Sequence, residues 1–190
     1  MTDRQFWETK YNNNETNWDR GASSPALSIW LKELKPCRIL IPGCGRGHEV
    51  LELARRGFNV TGLDIAAPAI AHLQAELDKE GLTATLIHGD MFDLKLEPFD
   101  AIYEQTCLCT VQPAQWPDYE QWAYAHLKPG GQLLAQFMQT GEAGGPPFHC
   151  AIAEMKSLFT PSRWHWPESE GKIIPHHSDL FELAHLLTRI

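Results

Sequence analysis

No run in this chain approaches the roughly 18 apolar residues that build a membrane-crossing helix, so no spanning segment and no membrane partner is expected. Positive charge is equally sparse. There are 16 Lys and Arg against 24 Asp and Glu, a net charge of −8 with the histidines neutral. A polyanionic partner needs clustered cations to displace counterions. The one basic pair, Arg55-Arg56, falls on a segment of helical spacing, where a solvated face explains it. Nucleic acid is therefore not an expected partner. Cysteine occurs five times, an odd number without the regular spacing of a disulfide scaffold. These read as reduced thiols in a cytosolic compartment. The opening MTDRQFWETKYNNNETNWDRG is polar and aromatic where a secretory signal would be apolar, which again points to the cytoplasm. Repeats, low-complexity tracts and linkers are lacking too, so residues 1–190 read as one domain with a sizeable core.

What is present is alternation. Hydrophobic residues make up 43% and charged residues 21%, the balance of an ordinary globular domain. PALSIWLKEL, GHEVLELARRG, APAIAHLQAELDKEG, PDYEQWAYAHLKPGG and CAIAEMKSLF read as helices, with Gly57 and Gly81 as stops. RILIPG, FNVTGLDI, TATLIHGDM and QLLAQFMQ read as strands between them, and FDAIYEQTCLCTV as a fourth strand followed by a loop. RWHWPE and FELAHLLTRI read as two closing strands around PHHSD, although periodicity leaves the last run open to a helix. Such alternation predicts an α/β fold, a doubly wound and mostly parallel sheet with helices on both faces.

The stretch RILIPGCGRGHEVLELARRGFNVTGLDI narrows the chemistry. Gly43, Gly45 and Gly47 sit where a strand turns into a helix, the place at which a ligand approaches backbone. Asp64 ends the next strand, as suits an acceptor for ribose hydroxyls. Dinucleotide sites favour G-x-G-x-x-G, whereas here the pattern is G-x-G-x-G with His48 at the position of the third glycine. A nucleoside ligand without a pyrophosphate, such as S-adenosylmethionine, has less need of that glycine. The competing reading is a glycine-rich turn that binds nothing. The strand before it, the helix after it and the acid beyond weigh against that.

ILIPGCGRGHEVLELARRGFNVTGLDIAAPAI resembles the first motif block of class I S-adenosylmethionine-dependent methyltransferases. WETKYNNNETNWDRGASSPAL, GDMFDL, FDAIYEQTCLCTVQP, LKPGGQLLAQF and GGPPF together resemble, more narrowly, the thiopurine S-methyltransferase family, which includes thiol and halide methyltransferases. The resemblance implies a Rossmann-like seven-stranded sheet with an antiparallel last strand. It also implies an N-terminal lid, residues 1–24, in which Trp7, Tyr11 and Trp18 contact the cofactor. Aromatic faces suit a sulfonium because they attract cations, more so when water is excluded. The bland alternative is a hydrophobic staple of the N-terminal helix. Asp19 and Gly21 shape the turn after Trp18.

Cofactor contacts are expected from Gly43, Gly45, Asp64, Asp90, Met91, Phe92 and Gln105 as well. Asp90 suits the adenine amino group, with Met91 and Phe92 against the ring; a capping role for Asp90 and a core role for Phe92 are the alternatives. Glu104 and Gln105 follow the fourth strand at the ligand edge. Cys107 and Cys109 form no pair at metal-ligand spacing, and His149, His165, His176 and His177 are dispersed, so no metal is expected. Trp116 and His149 either border an acceptor pocket or pack beneath loops.

Methyl transfer from a sulfonium is an in-line displacement that asks for alignment and exclusion of water rather than a triad. No catalytic base is assigned; Glu104 and His149 are the ones to test should the acceptor be carbon or oxygen. The core fold uses nearly the whole chain, so a small soft nucleophile is expected: a thiol, a thiopurine-like heterocycle, a halide, or a selenium or tellurium species. The protein is expected to be a monomer or weak dimer. The rivals are a non-catalytic S-adenosylmethionine-binding module and an NAD-dependent oxidoreductase.

Overall fold

The structure, a computed structural model, describes residues 4–176 and 180–190. His177, Ser178 and Asp179 of the turn expected at PHHSD fall outside them. The chain forms two compact units, Thr2–Lys95 and Leu96–Ile190.

The first unit opens with helix α1 (Arg4–Asn12) and the short α2 (Pro25–Trp30). Ser24 caps α2 by accepting the Ala26 N–H, and Pro25 suits its first turn. Strand β1 (Arg38–Pro42), helix α3 (His48–Arg55), strand β2 (Asn59–Asp64), helix α4 (Ala67–Glu80) and strand β3 (Thr85–His88) follow. β1 pairs with β2, and β2 with β3, all parallel. Ile39, Leu40, Val60 and Leu63 are wholly buried, as continuous apolar strands under helices must be. Gly57 and Gly81 take positive φ at the ends of α3 and α4 and stop them. Gly47 does more. With φ +77, a Cβ there would lie 2.3 Å from Leu73 Cδ1 on α4, so only glycine lets α3 start this close to its neighbour.

The second unit contains β4 (Phe99–Gln105), α5 (Trp116–His126), β5 (Leu127–Gln139), α6 (Ile152–Leu158), β6 (Trp164–His165), β7 (Lys172–Pro175) and β8 (Phe181–Arg189). β4 and β5 are parallel, and β8 runs antiparallel to β5 from Gln132↔Thr188 to Gln139↔Phe181. The last run is thus a strand, not a helix. Pairing along its whole length decides what periodicity left open. The sheet has eight strands where seven are expected. The additional one is β7, which lies along β8 with Ile174 buried and Ile173 exposed. β5 also begins earlier than QLLAQFMQ suggests, at Leu127. The fold class is as expected: α/β, mostly parallel, closed by antiparallel strands. Among the described residues no helix is long and apolar enough to cross a membrane.

Candidate functional site

Strand register assembles the candidate site of the first unit. Pro42 pairs with Leu63 and Asp64 with His88, so the loops after β1, β2 and β3 leave the sheet side by side. Two backbone bonds stitch them: Cys44 N–H to Leu63 O at 3.0 Å, and Gly89 N–H to Asp64 O at 3.0 Å. Gly43, Gly45, Asp64 and Asp90 are thereby brought together at the carboxyl edge, where open α/β sheets receive ligands.

Asp64 is buried. Its Oδ2 accepts the Gly45 N–H and its Oδ1 the Ala66 N–H, both at 2.8 Å. Burial raises its carboxyl above the ordinary value, against the pull of those N–H groups. Each carboxylate oxygen keeps a second acceptor position. Asp90 accepts the Phe92 N–H at 3.0 Å and so caps the short 3-10 turn Met91–Asp93. The capping role weighed from sequence is therefore present, and Met91 and Phe92 are half-buried beside it.

α1 lies over this edge. The Trp7 and Trp18 rings meet edge to face at 5.3 Å, and Tyr11 and Trp18 at 5.8 Å. The Tyr11 hydroxyl reaches the glycine loop: a Cβ on Gly45, whose φ is +53, would stand 2.8 Å from it. Burial first, then the Asp64 charge, pushes the Tyr11 phenol far above its usual range, while a hydrogen bond from Trp18 opposes this. The phenol is neutral at physiological pH.

Polar bonds reinforce the same docking, and the sequence reading missed them. His48, in place of the third glycine, bonds Asp19 Oδ1 through Nε2 at 2.8 Å. Arg46 donates to Asn14 Oδ1 at 3.0 Å and lies 3.3 Å from Asp19 Oδ2. Asp19 also accepts the Gly21 N–H at 2.8 Å, shaping the turn as expected. Burial alone would raise the Asp19 carboxyl, yet Gly21, His48 and Arg46 outweigh it and hold it below the carboxylate norm. Only the W-D-x-G motif hinted at this network.

In the second unit the loops after β4 and β5 meet. Gln105 ends β4, half-buried, its amide oxygen accepting from the Tyr103 hydroxyl at 3.1 Å. Glu104 turns inward and is fully buried. Leu108 and Cys107 N–H groups reach its Oε1 at 2.9 and 3.3 Å, and the Tyr119 hydroxyl donates to Oε2. Burial pushes its carboxyl up to about 7 despite these donors. Glu104 therefore holds the loop after β4 rather than facing a ligand. Trp116 packs under that loop, donating to the Leu108 and Val111 carbonyls. Phe148 of GGPPF donates its N–H to Cys109 O at 2.6 Å, which joins the loop after β5 to the loop after β4. Among the described residues no cluster of three or more His, Cys, Asp or Glu is placed to hold a metal.

The chain and its fold are similar to known proteins. The chain is 29% identical over 161 residues to a probable thiol methyltransferase 2 of Arabidopsis thaliana, covering 82% of this chain and 71% of that protein. It is 27% identical over 196 residues to a thiopurine S-methyltransferase of Vibrio cholerae, covering 93% and 89%. Its fold superposes with a TM-score of 0.78 and 20% identity on the 1,6-didemethyltoxoflavin-N1-methyltransferase of Burkholderia thailandensis, solved with 1,6-didemethyltoxoflavin and S-adenosylhomocysteine bound, over 98% of this chain and 86% of that one. The thiopurine S-methyltransferase family model matches residues 2–181, and the chain belongs to that family of S-adenosylmethionine-dependent methyltransferases.

Proposed function

We propose that this S-adenosylmethionine-dependent methyltransferase delivers the methyl group to the sulfur of a small thiol or to a comparably soft, small nucleophile. The observation that carries the reading is the Asp64 carboxylate at the tip of β2, bonded to Gly45 beneath the Trp7–Tyr11–Trp18 aromatic cluster. That arrangement supplies what a charged nucleoside needs. Asp64 has acceptor positions left for ribose hydroxyls. The glycine loop admits close backbone approach, and Asp90, Met91 and Phe92 line the way to an adenine ring. The aromatic faces of α1 suit a sulfonium and keep water away from it. Gln105 is a further expected cofactor contact. The cofactor, when bound, supplies an already activated methyl; the chain's own residues align it and exclude solvent.

Residues 1–24 act in this reading as a lid that belongs to a single methyltransferase domain. The protein works as a monomer or weak dimer in the cytoplasm, without a nucleic-acid partner. The test is calorimetric titration with S-adenosylmethionine and S-adenosylhomocysteine, followed by an acceptor screen that reads S-adenosylhomocysteine release with hydrogen sulfide, small thiols, iodide, thiopurines and oxidised selenium and tellurium compounds. Binding without turnover on any of these acceptors would leave a cofactor-binding module; absence of binding would remove the reading altogether.

A further inference from the structure

His149 is the candidate base left once Glu104 is seen to be buried and committed, and its hydrogen bonds are informative. The Thr140 N–H and the Gly141 N–H both point at its Nδ1, at 3.1 and 3.2 Å. Two donors aimed at one ring nitrogen require a lone pair there. The tautomer assigned by this network has its proton on Nε2. A ring held this way offers a fixed N–H donor and has no second basic nitrogen with which to take a proton from a ligand.

Its place in the fold gives that donor a use. Thr140 and Gly141 are the first residues past β5, and the ring is anchored to them just beyond the carboxyl end of the strand. That end of β4 and β5 is the side on which an acceptor is expected. His149 is half-buried, and among the described residues nothing in the protein pairs with its Nε2.

We propose that His149 binds the methyl acceptor through its Nε2–H, and that this acceptor is an anion which arrives already without its proton. The inference rests on the methyl-transfer reading above. The step balances without a base. A lone pair of the anion forms the bond to the methyl carbon while the carbon–sulfur bond breaks and leaves its electrons on the donor's sulfur. One positive and one negative charge cancel, and no proton moves. An N–H donor sorts the acceptors by charge: hydrosulfide, thiolates and halides are received, while neutral amines and alcohols are left without the base they need.

Iodide is the decisive probe because it has no proton to lose. It is followed as an acceptor and as an inhibitor of hydrosulfide methylation, with His149→Gln, His149→Glu and His149→Leu beside the unmutated protein. Gln and Glu both keep an oxygen for the Thr140 and Gly141 N–H groups, but only Gln restores a donor. Leu removes the donor without adding charge. A loss of roughly 10- to 100-fold in apparent iodide affinity is expected for Glu and Leu, with Gln within about threefold of the unmutated protein. Nitrogen NMR of the ring, with no cofactor present, should show the proton on Nε2 and a bare Nδ1, and iodide should shift the Nε2 signal in the complex with S-adenosylhomocysteine.

Iodide behaviour indifferent to Glu and Leu overturns the proposal, as does a loss confined to hydrosulfide, which is the mark of a base. A proton found on Nδ1 overturns it as well. If the unmutated protein binds and turns over while His149→Glu and His149→Leu leave iodide handling unchanged, only this inference falls. If it neither binds the donor nor methylates either anion, the methyl-transfer reading falls first.

Discussion

The backbone N–H of Gly45 points into the carboxylate of Asp64 at 2.8 Å, across 19 residues of sequence. The same carboxylate holds the Ala66 N–H through its other oxygen. One buried acid thus fixes the shape of the glycine loop and the start of α4 while facing the ligand edge.

Asp64 holds two backbone donors and, in the proposed function, also receives the ribose; the two roles separate under substitution. Asp64→Ala removes both backbone acceptors and should lower stability by roughly 1–3 kcal/mol, besides weakening S-adenosylhomocysteine binding at least tenfold. Asp64→Asn keeps an oxygen acceptor and should be the more stable of the two, with a comparable loss of affinity. Urea unfolding and calorimetry read the two quantities. Equal affinity in Asn and the unmutated protein would take Asp64 out of the ribose site.

Gly47→Ala should destabilise the protein by about 2 kcal/mol or more, since the new methyl meets Leu73 and the backbone keeps a left-handed φ. Adding Leu73→Ala relieves the collision but not the backbone strain, so the two effects should fall short of additive. Strict additivity in the melting data would show that α3 and α4 do not meet at this point.

The lid reading predicts that cofactor protects residues 1–24 from protease. Trp18→Ala deletes the ring that both Trp7 and Tyr11 contact. Loss of about 1 kcal/mol of aromatic contact should abolish most of that protection and weaken cofactor binding several-fold. Timed trypsin digestion with and without S-adenosylhomocysteine tests it. Identical digestion patterns in the unmutated protein would end the lid idea.

Glu104 should leave a signature in the pH dependence of stability. Its folded carboxyl is raised from 4.5 to about 7, with burial as the main cause. The folded state therefore binds the proton more tightly than the unfolded one. Its contribution is fully present below about pH 4.5 and is lost as pH rises through about 7, by at most about 3 kcal/mol. Glu104→Gln stays neutral and keeps a hydrogen-bonding side chain, so the difference in stability between variant and unmutated protein should shift in favour of the variant across that window. Urea midpoints measured from pH 4.5 to 8 read this difference. A difference constant with pH would show that Glu104 does not titrate there.

Much of the first unit could be read along the chain. G-x-G-x-G after an apolar strand, and an acid ending the next one, are local patterns, and parallel register places them together. The second unit was less legible. FELAHLLTRI is apolar on both faces because neighbours cover it, and its strand identity comes from the ladder with β5. Glu104 and Gln105 are adjacent in sequence and look alike there. The alternation of a strand sends one inward to Tyr119 and leaves the other at the edge.

By itself the sequence determined the alternation of strands and helices, the glycine turn, the acid at the second strand's tip and the aromatic N-terminal segment, because each depends on neighbours a few residues apart. The tertiary structure decided which side chains found partners beyond their own local element: His48 with Asp19, Arg46 with Asn14, Glu104 with Tyr119, and His149 with its two N–H donors. Hydrogen bonds and burial depend on distance in space. A histidine shows itself as donor or acceptor only when the groups around its ring are known.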